Sequence, residues 1–366
     1  MAGTIIEPKP TEVNRFAGRK IRCGAVGVGR MGRHHARVYA EMPGCELVGV
    51  VDADEPRRQQ LAGKYRCRSF ETVDELIDAG IDAASVAVPT SHHRPVAEKL
   101  LEAGIAVLVE KPLAGDAETA RAIAETGART GSVLMVGHIE RFNPIMRAMR
   151  QATADGQEIV PRFVQVHRVS PMTFRSVDVG VVMDMMIHDL DVVLMLMGGQ
   201  EPDEIRAAGV NVITEHEDIC NAWLTFDRPC GRCVANVTAS RLALKTERVT
   251  RITGENAYIK IDYATKSGTI IRRRANELQM REIREQLRSG TDLTSLNWHE
   301  LVNVEPLVID DGEPIVLEIQ SFLDAVRTGR PPPIDAEAGL ANVRTAERIV
   351  RAIQEGRRSD PAPALR

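Results

Sequence analysis

Asp184 and His188 lie four positions apart in a run otherwise rich in Val, Met and Leu, so a helix there carries an acid and an imidazole on one stripe of an apolar surface. That pairing suits proton transfer. An unperturbed imidazole titrates at about 6.5, and a neighbouring carboxylate orients it and steadies its protonated form. Two other readings of the same spacing stand beside this one. Asp189 and Asp191 follow directly, as on a helix with one polar side facing water. An Asp and a His can also share a metal, but no third ligand stands out by spacing and no metal is assigned. Lys111 is the other candidate for proton handling. It sits in Val109-Glu110-Lys111-Pro112, where an ammonium can hydrogen-bond a substrate hydroxyl and steady the alkoxide that develops as a hydride leaves. The commoner fate of a single lysine is a solvated strand end, and Pro112 offers a further reading, a tight turn, cis if the geometry demands it, that aims Lys111.

Gly27-Val28-Gly29-Arg30-Met31-Gly32 follows an apolar run and opens a helical one, the context a dinucleotide-binding turn requires. Gly27 permits the tight turn, Gly29 removes a side chain that would block a pyrophosphate, and Gly32 lets helix and strand pack closely. Backbone N–H groups at the helix start then face the phosphates. Asp52, twenty residues after Gly32, can accept hydrogen bonds from both ribose hydroxyls and repel a 2′-phosphate, which favours NAD over NADP. Arg57 and Arg58 are near enough in sequence to swing onto such a phosphate and dilute that preference. Arg30 and Met31 in the turn, Pro89 and Thr90 after an apolar run, and Glu110 with Lys111 complete the candidate cofactor contacts.

These groups need elements to hold them. From Ile21 to about Val136 apolar runs alternate with helical patterns, which predicts a doubly wound parallel sheet with crossover helices. The strands are Ile21 to Val26, Glu46 to Val51, Ala84 to Val88, Ala106 to Val109 and Val133 to Val136. Thr72-Val-Asp-Glu75 is a capping box, Ser91 and Asp116 precede helical runs, and Gly44, Gly80, Gly104 and Gly131 stand where helices stop. Near Asn143-Pro144 the pattern changes. Period-two runs at Phe163 to Val169, Ile205 to Val212, Ile219 to Phe226, Cys233 to Ala239, Val249 to Ile252 and Tyr258 to Tyr263 predict an α+β domain with a large, mostly antiparallel sheet. Gly254-Glu255-Asn256 reads as a hairpin turn. A helix at about Val181 to Met197 interrupts, and helices at Ile315 to Thr328 and Ala336 to Gln354 close the chain before a frayed tail from Arg357. The division is thus a Rossmann domain over 18–141 and a substrate and oligomerisation domain over 142–356. Arg141 and Asn143, at that boundary, and Arg175, before the Asp184 helix, are candidate substrate ligands by charge and location; Arg141 and Asn143 also read as plain hinge residues.

Composition narrows the class. With 47 Lys plus Arg against 51 Asp plus Glu, a net charge of −4 and 43% hydrophobic residues, the chain is an ordinary globular one without a nucleic-acid footprint. No run is apolar enough for a signal or a membrane span, since Val181 to Met197 would have to bury Asp184, His188, Asp189 and Asp191. Six cysteines are too few for a disulfide scaffold, and a reducing, cytoplasmic setting follows. Cys230-Gly-Arg-Cys233 is a lone C-x-x-C, read as a turn flanked by two thiols.

Taken together, the glycine turn, Glu110-Lys111-Pro112, Gly137-His138 and Asp184-x-x-x-His188 resemble the Gfo/Idh/MocA family of NAD(P)-dependent oxidoreductases over about residues 18 to 355. The resemblance implies a Rossmann domain joined to an α+β domain whose open sheet often makes oligomer contacts, as a homodimer or homotetramer. It also implies a substrate cleft between the domains, Lys111 and His188 as proton-handling pair, and Asp184 beside them. Within the family, His138-Ile-Glu-Arg-Phe-Asn-Pro144 and Met186-Ile-His-Asp-Leu-Asp191 look like the UDP-N-acetylglucosamine 3-dehydrogenases. That implies oxidation of the sugar 3-hydroxyl to a ketone, which a partner aminotransferase would then aminate on the way to lipid A or surface polysaccharide. Related enzymes act on uronic acids, inositols or other sugars. A non-catalytic dinucleotide-binding regulator and an NAD-assisted glycoside hydrolase are readings of other classes.

Overall fold

The computed structural model describes residues 16–154, 158–174, 177–294 and 296–359; Arg175 lies outside the described residues. The chain forms two compact units. The first gathers Met1–Asn143, Val182–Glu201 and Gly312–Arg366, and the second Pro144–Val181 and Pro202–Asp311.

In the first unit six strands, β1 (Ile21–Val26), β2 (Cys45–Val51), β3 (Arg68–Phe70), β4 (Ala83–Val86), β5 (Ala106–Glu110) and β6 (Leu134–Gly137), form a sheet ordered β3-β2-β1-β4-β5-β6. All pairs are parallel. Strands β1, β4, β5 and β6 are buried almost throughout, as a sheet covered on both faces requires. The order reverses between β1 and β4, and ligands of such sheets bind beyond the carboxyl ends of the strands at that switch point. Five of the strands were expected; β3, three residues long with two of them exposed, lacks any apolar run to announce it. The Thr72–Glu75 capping box and the Asp116 cap form as read, and Gly44, Gly80, Gly104 and Gly131 all take positive φ.

The predicted helix Val181 to Met197 forms with a difference. It opens as a π-helix, Val182–Met186, and continues as an α-helix, Ile187–Leu196. Such π-turns are frequent at functional sites because they re-aim side chains. This helix packs against the C-terminal helix Ala336–Ser359, which belongs to the same unit as the parallel sheet. The C-terminal helix also runs past Gln354 to Ser359, carrying Arg357 that had been read as tail.

The second unit carries β7 (Pro161–Val169), β8 (Glu204–Val210), β9 (Ile219–Phe226), β10 (Cys233–Ser240), β11 (Glu247–Gly254), β12 (Ala257–Asp262), β13 (Ser267–Arg273) and β14 (Val302–Pro306). They form one sheet ordered β14-β13-β12-β11-β7-β10-β9-β8. Only β7 and β10 run parallel; the other neighbours are antiparallel. The Gly254-Glu255-Asn256 hairpin joins β11 to β12. Strands β13 and β14 and the helix Glu277–Arg288 were not expected. Cys230 is exposed, Cys233 is buried, and both are free thiols.

Candidate active site

The three glycines of the first turn are required for different reasons. Gly27 has φ +79°, and a Cβ there would stand 2.7 Å from the Val88 nitrogen. At Gly32 a Cβ would lie 1.7 Å from the Gly27 carbonyl oxygen, so protein packing alone fixes both residues as glycine. Gly29 is different: a Cβ there meets nothing within 4 Å. The fold does not require glycine at 29, whereas a dinucleotide pyrophosphate resting on that backbone does. The helix Gly32–Glu41 begins at this turn with Met31 as its cap residue, Arg30 is exposed, and Pro89 and Thr90 open the short 3₁₀ turn that follows β4.

Asp52 directly follows β2. Its Oδ2 accepts the Val28 N–H at 2.8 Å and its Oδ1 accepts the Asp54 N–H at 2.9 Å, so the carboxylate is locked against the glycine turn. Arg57 donates to both Asp52 oxygens at 3.3 and 3.4 Å, and Arg58 donates to the Asp52 carbonyl at 3.2 Å. Both arginines are therefore engaged by Asp52.

Lys111 and the Asp184 segment come together. The Lys111 Nζ donates to the Asp184 carbonyl oxygen at 3.0 Å, and Lys111 precedes a cis peptide bond to Pro112. His93 braces that turn: its Nδ1 lies 3.0 Å from the Pro112 carbonyl and its Nε2 3.0 Å from the Val88 carbonyl. Burial pushes the His93 pKa down, against the carbonyls at both ring nitrogens, which raise it. His188 stands one turn beyond Asp184, partly buried. From the C-terminal helix, the Asn342 Nδ2 donates to the Ile187 carbonyl at 3.0 Å and so fixes the helix that carries His188.

Glu110 faces inward. Its Oε1 lies 2.9 Å from the His35 Nε2, and its Oε2 accepts the Lys111 N–H at 3.2 Å. The His35 Nδ1 is 2.9 Å from the Ser85 Oγ, which is 2.6 Å from the Tyr39 hydroxyl. A single donor direction satisfies the chain: Tyr39 to Ser85, Ser85 to His35, His35 to Glu110. Against burial, the largest influence and one that raises it, the His35 hydrogen bond and the charge and N–H of Lys111 hold the Glu110 carboxylate below the usual carboxylate range.

Arg141 and Asn143, read as substrate ligands, have partners inside the unit. The Arg141 guanidinium grips Asp191 in a bidentate pair, Nε to Oδ2 at 2.8 Å and Nη2 to Oδ1 at 2.6 Å. Asn143 donates to Glu140 at 3.3 Å. Asp191 is buried at 1% exposure, so the acids after His188 are not a solvent-facing stripe. His138 is equally buried and, among the described residues, neither ring nitrogen has a hydrogen-bond partner. His35, His93, Asp191, Asn342 and Glu318 are the residues that sequence reasoning missed. The readable signal was modest: His35 lies three residues into the helix that the glycine turn opens, and Asp191 is one turn after His188.

A Rossmann sheet with a glycine turn at its switch point, a carboxylate locked against that turn and a lysine at the end of β5 is the framework of a dinucleotide-dependent oxidoreductase. The comparisons agree. The Gfo/Idh/MocA description, an oxidoreductase family with an NAD-binding Rossmann fold, matches residues 21–138, and its C-terminal alpha/beta domain matches residues 172–361. The chain belongs to this oxidoreductase family. UDP-N-acetylglucosamine 3-dehydrogenase from Acidithiobacillus ferrooxidans is 35% identical over 87% of this chain and 93% of its own length. A solved structure of that dehydrogenase superposes with a TM-score of 0.79 at 34% identity, covering 92% of this chain and 98% of its own. Inositol 2-dehydrogenase from Rhizobium meliloti is 27% identical over 92% of this chain and 98% of its own length. No helix among the described residues is long and apolar enough to cross a membrane.

Proposed function

We propose that this protein oxidises a secondary hydroxyl of a sugar with NAD, and that its substrate is UDP-N-acetylglucosamine, converted to the 3-keto nucleotide sugar. The observation that carries the activity is the Lys111 ammonium held 3.0 Å from the Asp184 carbonyl, one turn from His188. The substrate rests on the likeness to the Acidithiobacillus enzyme, which exceeds the likeness to the inositol dehydrogenase. The residues fit the dinucleotide: Gly27, Gly29, Arg30, Met31 and Gly32 would take the pyrophosphate, Asp52 the adenosine ribose, and Pro89, Thr90, Glu110 and Lys111 the region toward the nicotinamide. Bound NAD supplies the hydride acceptor.

The chain's own groups do the rest. Lys111 hydrogen-bonds the reacting hydroxyl and stabilises the negative charge that grows on its oxygen. His188, oriented through Asp184, takes the hydroxyl proton. Asp52 favours NAD, because a 2′-phosphate beside a carboxylate already fixed by Val28 would meet repulsion. A 3-keto product suits a partner aminotransferase as its consumer. The protein is read as cytoplasmic and as a homodimer or homotetramer; for the latter, the half-exposed Trp223, tilted at 54° to Phe163 with ring centroids 5.8 Å apart, offers apolar surface on the second sheet. Incubation with NAD and a panel of UDP-N-acetylglucosamine, UDP-N-acetylglucosaminuronate and inositols tests the reading. Nicotinamide reduction is expected with the first. Reduction only with an inositol would replace the substrate, and none with any of them would favour a regulator.

A further inference from the structure

The first unit contains a second charged cluster that the proposed chemistry does not use. Glu318, on the helix Pro314–Thr328, is fully buried. Neither of its carboxyl oxygens has a hydrogen-bond partner among the described residues. One ligand atom each from His35, Glu110 and Glu318 lie within 4.8 Å of one another. A buried carboxyl group without partners is costly in either protonation state, and far more so when charged. His35 from the helix Gly32–Glu41 and Glu110 from β5 lie beside it, and Tyr39 from the same helix and Asp191 from the helix Ile187–Leu196 are close enough to interact with its charge. Two of them are acids, and Arg141 already neutralises Asp191.

Resting on the dehydrogenase reading above, we propose that Glu318 is a positioning residue for Lys111: an uncharged carboxylic acid that supplies a hydrogen-bond donor to the Glu110 carboxylate through one bound water. Two carboxylates this close in a buried site do not both carry charge. Glu110 is the one that ionises, because His35 and the Lys111 N–H both donate to it. Glu318 has no such donors and keeps its proton, consistent with the direction in which burial and the nearby Glu110 and Asp191 push it, upward. The Glu318 proton, turned toward that water, gives the Glu110 carboxylate a third donor through it. The strand end that presents Lys111 is then braced from two helices, by His35 and by Glu318. A divalent ion among the same three side chains is the competing arrangement, and it would have to displace the proton that the Tyr39–Ser85–His35 donor chain places between His35 and Glu110, 2.9 Å apart.

The test compares Glu318→Gln, which keeps a donor of the same size and cannot ionise, with Glu318→Leu, which fills the space and donates nothing. The kcat of the Leu variant should fall at least tenfold below that of the Gln variant, with the KM for NAD in the two within about threefold. Equal kcat values would reduce Glu318 to packing and overturn the proposal. Infrared spectroscopy of the parent protein at about pH 7 should show the carbonyl stretch of a protonated carboxylic acid that vanishes in Glu318→Gln. This measurement needs no turnover and no Leu variant, so it stands whether or not that variant folds. Absence of the band, or a stoichiometric divalent metal lost in Glu318→Gln, overturns the proposal. If the parent reduces no nicotinamide at all, the dehydrogenase reading fails by itself and the infrared band alone decides the state of Glu318.

Discussion

The Lys111 ammonium and the Asp184 carbonyl, 73 positions apart in sequence, meet at 3.0 Å. The end of β5 and the π-turn that precedes His188 are therefore one piece of structure. A lysine that would otherwise be a solvated strand end is held against the helix that carries the imidazole.

Replacing Lys111 with Ala or Met should cut kcat by at least about a hundredfold, the usual size of a lost proton-handling group, while NAD still binds. Steady-state kinetics alongside a dinucleotide titration separate the two effects. Turnover within a few-fold of the parent would remove Lys111 from the chemistry.

The glycines make an internally controlled pair. Gly29→Ala adds a Cβ that meets nothing in the protein, so its stability should change by no more than about 0.5 kcal/mol while NAD affinity falls at least about tenfold. Gly32→Ala drives a Cβ to 1.7 Å from the Gly27 oxygen and should cost about 3 kcal/mol or more. Denaturant melts and calorimetric NAD binding on both variants check this, and a Gly29→Ala protein with full NAD affinity would contradict the phosphate assignment.

Asp52→Ala should raise the ratio of NADP to NAD efficiency at least about tenfold, because it removes the carboxylate and releases Arg57, now 3.3 Å from it. An unchanged ratio would mean that Asp52 serves only to hold Val28.

Removing one member of the buried Arg141–Asp191 pair, side chains 14% and 1% exposed, should destabilise the protein by about 3–5 kcal/mol. Arg141→Met is expected to lower thermal stability first and activity only through it. A stable Arg141→Met enzyme with a raised substrate KM would return Arg141 to the substrate.

Glu318 gives stability a pH dependence whose sign is fixed. Its pKa is raised in the folded protein, so above the unfolded value of about 4.3 the native state holds a proton that the unfolded chain has released. The resulting stabilisation is full below that value and is lost as pH rises toward the folded pKa. The melting temperature of Glu318→Gln minus that of the parent should therefore grow between about pH 5 and about pH 8; a difference that shrinks over that range would place the proton elsewhere.

The parallel sheet, the glycine turn, Asp52 and the Lys111 triplet were legible because local pattern determines them: apolar runs bounded by glycines, and one fingerprint at a strand end. The second sheet was legible as a class, though β13 and β14 went unseen because β14 is exposed at four of its five positions and offers little apolar alternation. The partners of the site were not legible. Arg141 reads as a free cation until Asp191, fifty positions away, closes on it, and nothing near Glu110 in sequence announces His35, 75 positions before it, against its carboxylate. Pairings of that span are set by tertiary packing, and spacing along the chain does not encode them. The π-turn at Val182–Met186 escaped for the same reason, since periodicity counts apolar positions and not hydrogen-bond register.

The proposed function has a hydride leave the sugar in a step that needs Lys111. Its most direct test supplies UDP-N-acetylglucosamine deuterated at C3 together with NAD, and weighs the nicotinamide product by mass spectrometry. Deuterium is expected in the reduced nicotinamide from the parent enzyme, with the rate at least about a hundredfold lower for Lys111→Ala. Deuterium retained in the sugar, or transferred equally fast without Lys111, would rule out that step.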